Sequence, residues 1–335
     1  MLSPGTFFID RSRCFVITYK LKHYVIEESC SMEVLKIKGN TYCIDTGMTY
    51  IPFYKINDEE IIMLDSGWAR GEREGIISFL EGNNFRVAAI INSHCHIDHV
   101  GNNAFLKAKY NSIIAMPAYE AYVCSSAVNL KVYYGSMTLT EVEQQIGHMV
   151  CETDIKITEE QSKIFVCDIK FKIVHTPGHS PAHICIITPD DVAYMGDSLI
   201  SHDVMNGAKM PYAYILREDL KSKEKLFGLS CSKYVVAHKG IYDDITRLVY
   251  DNIAFYKHRA QLVYDAIEDA MTMEEMFRAA KKCFGIRVTN RPRFLVLERM
   301  FRSYLEYLHE TGMVKSIIDD GFIKYIKTEN GGTGL

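Results

Sequence analysis

The chain has 335 residues, of which 48% are hydrophobic and 24% charged, and its formal net charge is −4. This composition is that of an ordinary globular protein, and the length suits one large domain with a smaller one. No apolar run approaches the roughly eighteen residues of a membrane-spanning helix, and the net charge excludes a chain-wide basic surface. The cysteines are scattered through apolar segments without a C-x-x-C pair. This usage is typical of reduced thiols in a cytoplasmic protein.

Residues 1–31 contain an apolar patch, Cys14–Tyr19, but they lack the long apolar region and the small-residue cleavage site of a signal peptide. The regular alternation of strands and turns begins only at Met32. We therefore expect residues 1–31 to form an N-terminal extension that takes no part in the functional site.

From Met32 to Gly240, short apolar strands alternate with turns and helices, as in a layered α/β domain. The spacing of apolar residues predicts helices at residues 70–81, 101–109 and 216–229, and a largely helical segment at 117–150. The predicted strands cover residues 32–38, 41–44, 51–56, 60–64, 87–91, 112–115, 163–167, 171–174, 184–188, 192–195 and 234–237.

The chain changes character after Gly240. Residues 241–270 have the pattern of a long amphipathic helix, Thr272 and Glu275 form the T-x-x-E pattern of a capping box, and a further helix is expected at 294–310. Apolar strands on either side of a turn at 319–321 predict a hairpin. Three helices and a hairpin outline a winged helix, so we assign residues 241–327 to a small helical, winged-helix-like domain and 328–335 to a flexible tail.

Three imidazoles and a carboxylate lie within six residues, in His94-Cys95-His96-Ile97-Asp98-His99. The apolar run before them predicts a buried strand, so the cluster follows a strand end. His94 and His96 are two residues apart, and an extended backbone therefore directs both to one side and Cys95 to the other. Asp98 and His99 follow a turn and can face a second point nearby. Imidazole and carboxylate ligands together suit zinc, with iron or manganese as alternatives.

Four other polar residues also stand just past predicted strands. They are Asp65, His179, Asp197 and His238. Since α/β sheets place their site residues at strand ends, we expect these side chains to meet the histidine cluster.

The order of these groups resembles the metallo-β-lactamase superfamily, and its glyoxalase II-like hydrolases in particular. That family carries H-x-H-x-D-H, then T-P-G-H, then G-D, then a last histidine. These motifs match His94–His99, Thr176–His179, Gly196–Asp197 and His238. The resemblance covers about Met32 to Gly240 and implies an αββα sandwich as the catalytic domain, residues 32–240.

The resemblance also implies roles for the residues. His94, His96 and His179 would hold one metal ion, Asp98, His99 and His238 a second, and Asp197 would bridge the two. The expected cofactors are two zinc ions, with iron or manganese as alternatives. A hydroxide between the two ions would be the nucleophile, and Asp98 and Asp197 are the expected catalytic carboxylates.

Three further residues each leave two interpretations open. Asp65 either orients a ligand imidazole or is only a turn residue before Ser66 and Gly67. His183 either touches the substrate or has a structural role. Lys239 either meets an anionic group of the substrate or is simply solvated.

The fold and the nucleophile do not define the substrate. We expect hydrolysis of an ester, thioester or lactone-type carbonyl in a small molecule. The alternative on the same site is an endoribonuclease, because the C-terminal region resembles a subgroup with a winged-helix-like domain that includes enzymes cleaving single-stranded RNA. A stretch from Arg278 to Arg302 supports it, since its bases outnumber its one acid, Glu298. Those bases are Arg278, Lys281, Lys282, Arg287, Arg291, Arg293, Arg299 and Arg302.

Other interpretations stay open. The same basic helix face could cover the active site or form the contact of a homodimer. A persulfide dioxygenase would use one iron and leave Asp98 and His238 off the metal. A non-catalytic protein would keep the metals for structure alone. The complete set of ligand residues argues against the last two, and the pattern predicts no membrane association.

Overall fold

A computed structural model describes residues 32–329. The predicted N-terminal extension, residues 1–31, and residues 330–335 of the predicted tail lie outside the described residues. Two sheets packed face to face, with helices on both outer faces, make four layers in the order αββα. This confirms the fold class that the motifs implied.

The first sheet has seven strands that are hydrogen-bonded in chain order. The early strands pair antiparallel through tight turns, whereas the last four run parallel because helices connect them. These strands are β1 (Glu33–Lys38), β2 (Thr41–Asp45), β3 (Tyr50–Lys55), β4 (Glu60–Leu64), β5 (Arg86–Ile91), β6 (Ile113–Pro117) and β7 (Ile155–Ile157).

The second sheet has six strands in the order β13-β12-β11-β10-β9-β8. All of its pairs are antiparallel except the parallel pair of β11 and β12, which a helical crossover connects. The strands are β8 (Lys163–Val166), β9 (Ile169–His175), β10 (Ile184–Ile187), β11 (Val192–Tyr194), β12 (Lys233–Val236) and β13 (Gly240–Tyr242).

The helices cover the outer faces of the two sheets. On the first sheet lie α1 (Arg73–Gly82), α2 (Ile97–Val100), α3 (Asn103–Tyr110), α4 (Ala118–Val123), α5 (Ala127–Tyr134) and α6 (Leu139–Gln145). On the second lie α7 (His202–Gly207), α8 (Leu216–Lys225), α9 (Thr246–Asp265), α10 (Met273–Cys283) and α11 (Arg291–Glu310). Short 3₁₀ turns follow α6 and α8.

Strand β4 shows why the layers form. Its residues are apolar on both faces, so alternate side chains enter different cores. Ile62 and Leu64 pack between the two sheets, whereas Ile61 and Met63 pack against the helices outside. A strand of this kind is stable only when both of its faces are covered.

The C-terminal region keeps the predicted order of helices followed by a hairpin, β14 (Val314–Asp319) and β15 (Phe322–Lys327). Thr272 and Glu275 form the predicted capping box of α10. These helices share one continuous core with the outer face of the second sheet. Thr328, the first residue of the predicted tail, is still hydrogen-bonded to Met313.

The long helix predicted at residues 241–270 is present as α9, but its predicted bounds were wrong. Residues 240–242 form β13, which pairs with β12, and α9 begins at Thr246, whose N–H donates to Asp244 Oδ1 at 2.7 Å. The edge of the sheet takes the apolar residues first, and an aspartate turn then opens the helix.

Two other findings concern residues 32–329. No helix there is long and apolar enough to cross a membrane. The cysteines in this range are free thiols, most of them buried, as their positions in apolar segments predicted. Cys95 packs into the core outside the first sheet, which is the side that strand alternation predicted for it.

Candidate metal centre

The loops that follow β4, β5, β9, β11 and β12 meet at one end of the sandwich. They bring together every residue that the motifs predicted as a ligand, although these residues are far apart in the chain. The predicted ligands form two groups, one containing His94, His96, His179 and Asp197, and the other Asp98, His99 and His238. A further cluster joins Asp65 to one histidine of each group, His94 and His99.

In the first group three ring nitrogens converge. His96 Nδ1 lies 2.9 Å from His94 Nε2 and 3.0 Å from His179 Nε2. Asp197 Oδ2 lies 3.3 Å from His179 Nε2. Three imidazole lone pairs directed at one point, beside a carboxylate, are the arrangement that a divalent metal ion requires.

The second group is more acidic. Asp98 Oδ2 lies 3.4 Å from His238 Nε2 and 3.8 Å from His99 Nε2. Asp197 reaches this group as well, with Oδ1 at 3.5 Å from His99 Nε2 and Oδ2 at 3.4 Å from His238 Nε2. Asp197 therefore lies between the two groups, where a carboxylate can serve both.

The residues fit divalent metal ions. His99 Nε2 and Asp197 Oδ1 face the cluster, are buried, and have no hydrogen-bond partner in the described chain. Buried polar atoms without partners are costly, so a structure that gathers them needs another group to satisfy them. A cation can do so, because Asp197 Oδ1 has free lone pairs and His99 Nε2 gains one when the imidazole releases its proton.

The protonation of the two groups differs. Burial, together with the neighbouring imidazoles, lowers the pKa of His94 and His96 well below the ordinary value. Burial lowers the pKa of His179 to about 4. Burial acts in the same direction on His238, but Asp197 and Asp98 outweigh it and raise its pKa to about 9. Acidic neighbours likewise raise the pKa of His99 well above normal.

Asp65 orients one of these imidazoles. Its Oδ2 accepts a hydrogen bond from His99 Nδ1 at 2.8 Å, and also from Ser93 Oγ and the hydroxyl of Tyr194. Ser93 Oγ in turn accepts from His94 Nδ1 at 2.9 Å. Asp65 thus fixes His99 directly and His94 through Ser93, leaving the Nε2 atom of each ring directed at the cluster. Of the two interpretations from the sequence, the orienting one is supported.

Glu120 is a buried residue that the sequence did not single out. Its Oε1 accepts from Ser180 Oγ at 2.7 Å and from Ala182 N at 2.9 Å, and its Oε2 accepts from Cys95 N at 3.2 Å. It therefore joins the loop of His94 and His96 to the loop of His179. Nothing in its sequence context signalled this, since it lies in a segment whose apolar spacing indicated only a helix.

His183 does not reach a substrate. It is fully buried, its Nδ1 contacts Thr176 Oγ1 at 2.8 Å, and its Nε2 accepts from Asp197 N at 3.0 Å. Of the two interpretations from the sequence, the structural one is therefore supported. A β-carbon at Gly196 would lie 2.6 Å from His183 Nε2, so glycine is required before Asp197.

Lys239 lies at the rim of the site. Its Nζ is 3.5 Å from Asp45 Oδ1, and its side chain is partly exposed. Its positive charge is thus partly balanced by Asp45 rather than held free for a substrate.

One wall of the site is held in place by the C-terminal region, which sequence reasoning placed apart from the metal ligands. Tyr212, in the loop between α7 and α8, has its ring 5.2 Å from that of His96 and 5.5 Å from that of His179. Helices α9 and α11 hold this loop, since Tyr256 donates to Tyr212 O and Tyr304 donates to Pro211 O. These contacts are formed between distant segments, and no local motif signals them.

The sequence model of the metallo-beta-lactamase superfamily matches residues 44–238. The chain belongs to this superfamily and is a hydrolase of the metallo-β-lactamase fold, with a histidine and aspartate cluster that can hold divalent metal. Among solved structures, a metallo-beta-lactamase family protein from Thermus thermophilus shares the fold with a TM-score of 0.64 at 17% identity, covering 89% of this chain and 99% of that chain.

The chain is also similar to several curated proteins with descriptive names, of which two follow. A hydroxyacylglutathione hydrolase of Pelagibacter ubique is 29% identical over 132 residues, which are 39% of this chain and 44% of that protein. An atrochrysone carboxyl ACP thioesterase of Cryptosporiopsis is 22% identical over 302 residues, which are 85% of this chain and 79% of that protein. The second similarity extends beyond the ligand loops into the C-terminal helices.

Proposed function

We propose that this protein hydrolyses a thioester at a centre of two metal ions, most suitably zinc. His94, His96 and His179 would hold one ion, Asp98, His99 and His238 the other, and Asp197 would bridge them. The observation that carries the proposal is the position of Asp197, whose two oxygens lie within 3.5 Å of ring nitrogens from both groups.

The metal ions, when bound, supply the Lewis acidity that makes a water molecule nucleophilic near neutral pH. Asp197 supplies the shared negative charge. Burial alone would raise its pKa, but His238, His99 and His179 outweigh this and hold it well below the ordinary value. Asp197 therefore stays ionised at any pH at which the enzyme would work.

The open side of the site indicates where the substrate enters. The side chains of Asp98 and His238 are each 21% exposed, whereas that of His99 is 1% exposed. The substrate carbonyl would thus approach from the side of Asp98. The Asp98 carboxylate would receive a proton from water as the new C–O bond forms. The C–S bond would then break, the departing sulfur would take this proton from Asp98, and the products would be a carboxylic acid and a free thiol.

A thioester is favoured over an ester or a lactone by the two named relatives, both of which are named for removing an acyl group from a thiol carrier. The stretch from Arg278 to Arg302 supports RNA as a substrate less than its composition suggested. Arg291 is paired with Glu141, Arg302 lies 3.6 Å from Glu298, and Arg299 is packed among tyrosine rings. These three bases are already engaged within the chain.

The proposal is tested with zinc-loaded protein on four substrates: an S-acyl glutathione, an S-acyl pantetheine, a γ-lactone and a single-stranded oligoribonucleotide. We expect thiol release from at least one thioester, lost on treatment with a chelator and restored by zinc. Asp197→Ala provides the inactive control. Cleavage of the RNA or the lactone with neither thioester hydrolysed would overturn the substrate assignment, and a wild-type protein that binds no metal would overturn the centre itself.

A further inference from the structure

Helix α11 inserts a cation into a cage of aromatic rings beside the metal centre. The guanidinium carbon of Arg299 lies 4.3 Å from the ring centroid of Tyr133, 5.0 Å from Tyr134, 5.2 Å from Tyr212 and 5.4 Å from Tyr214. Two of these rings belong to α5 and two to the loop before α8. Arg299 therefore joins the C-terminal region to α5 and to the loop that carries Tyr212.

The charge of Arg299 is balanced by rings rather than by an acid. In the described part of the chain its neighbour Glu298 pairs with Arg302 instead, and Arg299 Nη2 is buried without a hydrogen-bond partner. Ring faces within about 6 Å stabilise a cation electrostatically, and a guanidinium stacks on them readily. An arginine placed in this way keeps the tyrosine rings in fixed positions, because each ring must present its face to the charge.

One of the caged tyrosines contacts a candidate ligand. The hydroxyl of Tyr133 lies 3.1 Å from Nε2 of His96, while Nδ1 of the same ring is the atom directed at the cluster. A histidine that offers one nitrogen to a metal usually donates its other N–H to a nearby acceptor, and this contact sets the orientation of the ring. Tyr133 is the acceptor in that position for His96.

We propose that Arg299 and Tyr133 act together as positioning residues for His96. Arg299 holds the Tyr133 ring, and the Tyr133 hydroxyl holds the His96 ring so that Nδ1 faces the metal. The affinity of the centre for its metal would then depend on a residue that lies some sixty positions after the last ligand, His238. This inference rests on the proposed assignment of His96 as a ligand.

The test measures zinc affinity by competition with a chromophoric chelator. Tyr133→Phe removes the hydroxyl, which also bonds Arg299, but keeps the ring that faces the guanidinium. Arg299→Met removes the charge while keeping most of the side-chain volume. We expect each to weaken zinc binding about tenfold to a hundredfold, the range found for partners of ligand histidines. The double variant should bind zinc little worse than the more impaired single variant, since both changes act on the same ring.

Two control variants lie next to these residues. Tyr134→Phe alters a ring of the same cage that packs edge-on against Tyr133, and Arg302→Gln alters an exposed base of α11. Both should bind zinc as the wild type does. Arg299→Lys, which keeps the charge but not the planar guanidinium, should restore part of the affinity.

Several results would overturn the inference. Wild-type affinity in Tyr133→Phe would show that the hydroxyl does not support His96. Tighter zinc binding in Arg299→Met would show that Arg299 acts only as a repelling cation. Fully additive losses in the double variant would mean that the two residues act separately. Because zinc binding is measured without substrate, these results are distinct from failure of the thioester proposal, which concerns the wild-type protein.

Discussion

The two ligand groups of the centre are prepared for metal in different ways. His94, His96 and His179 are imidazoles whose pKa burial lowers, so they are neutral at pH 7. His99 and His238 are surrounded by carboxylates that raise the pKa of both, so they hold protons at the same pH in the metal-free protein. The first group offers free lone pairs, whereas the second must release protons when a metal binds.

The carboxylates that support the two groups, Glu120 and Asp65, also differ in the atoms from which they accept hydrogen bonds. Glu120 accepts two backbone N–H bonds and a serine hydroxyl, so it joins the loops of the first group rather than their rings. Asp65 accepts directly from the His99 ring of the second group. The carboxylate of the first group thus fixes the loops and that of the second fixes a ring, and we expect the two groups to respond differently to mutation and to pH.

The largest effect is expected where the two groups meet. Asp197→Ala removes the carboxylate whose oxygens lie within 3.5 Å of ring Nε2 atoms of both groups. Hydrolysis should therefore fall at least about a thousandfold, the equivalent of several kcal/mol of lost transition-state stabilisation. Metal content should fall too, while circular dichroism stays native because the cores lie elsewhere. Activity retained with both metals bound would show that Asp197 does not bridge the groups.

The two groups should differ in how strongly their metal affinity depends on pH. A proton competes with the metal for each imidazole, so affinity falls when the pH drops below the pKa of that ring. The second group must release a proton from His238, with a pKa of about 9, and one from His99. Its affinity should therefore fall about tenfold per pH unit for each of these protons as pH decreases from 9. For His179, with a pKa of about 4, the first group should be insensitive over the same range.

Zinc titration by calorimetry at pH 6, 7, 8 and 9 measures this difference. One tight, pH-independent phase and one phase that strengthens with pH are expected. Two phases with the same pH slope would contradict the contrast drawn from the burial and the charges of the two groups.

A smaller and more selective effect is expected from Asp65→Asn. Both oxygens of Asp65 accept hydrogen bonds, so the amide presents its N–H₂ group to donors in either orientation. The remaining oxygen is neutral and is a weaker acceptor for His99 than the carboxylate. Metal affinity of the second group should fall about tenfold to a hundredfold. The first group should change less, because Asp65 reaches His94 only through Ser93.

Glu120→Gln is the matched comparison, since it also replaces a buried carboxylate by an amide of the same shape. It should weaken the first group and spare the second. If both variants weaken the same group, the division between the supporting carboxylates is wrong.

The smallest effect is expected at Arg291, which pairs with Glu141 on the surface and lies away from the ligands. Exposed pairs of this kind contribute about 0–1 kcal/mol. Arg291→Glu should therefore leave small-thioester hydrolysis and both zinc phases unchanged. If the natural substrate is RNA, the same change would weaken binding and flatten its dependence on salt.

Several features could be predicted from the sequence because their signals are local. The apolar strands, the capping box at Thr272 and the terminal hairpin were found where short-range patterns place them. The alternation of His94, Cys95 and His96 predicted which side chains face the centre, because side-chain direction in an extended segment depends only on position. The resemblance of the motifs supplied the set of residues that the structure brings together.

Only the tertiary structure decided which other residues hold the predicted ligands in place. Glu120 and Arg299 lie in segments whose patterns indicate ordinary helices, and their partners come from loops and helices far away in the chain. Sequence reasoning also placed everything needed for the centre before Gly240, yet α9 and α11 hold the loop of Tyr212 that walls it. The physical reason is that ligand type and spacing are local properties of a chain, whereas the support of a buried polar group depends on which segments the packed cores bring beside it.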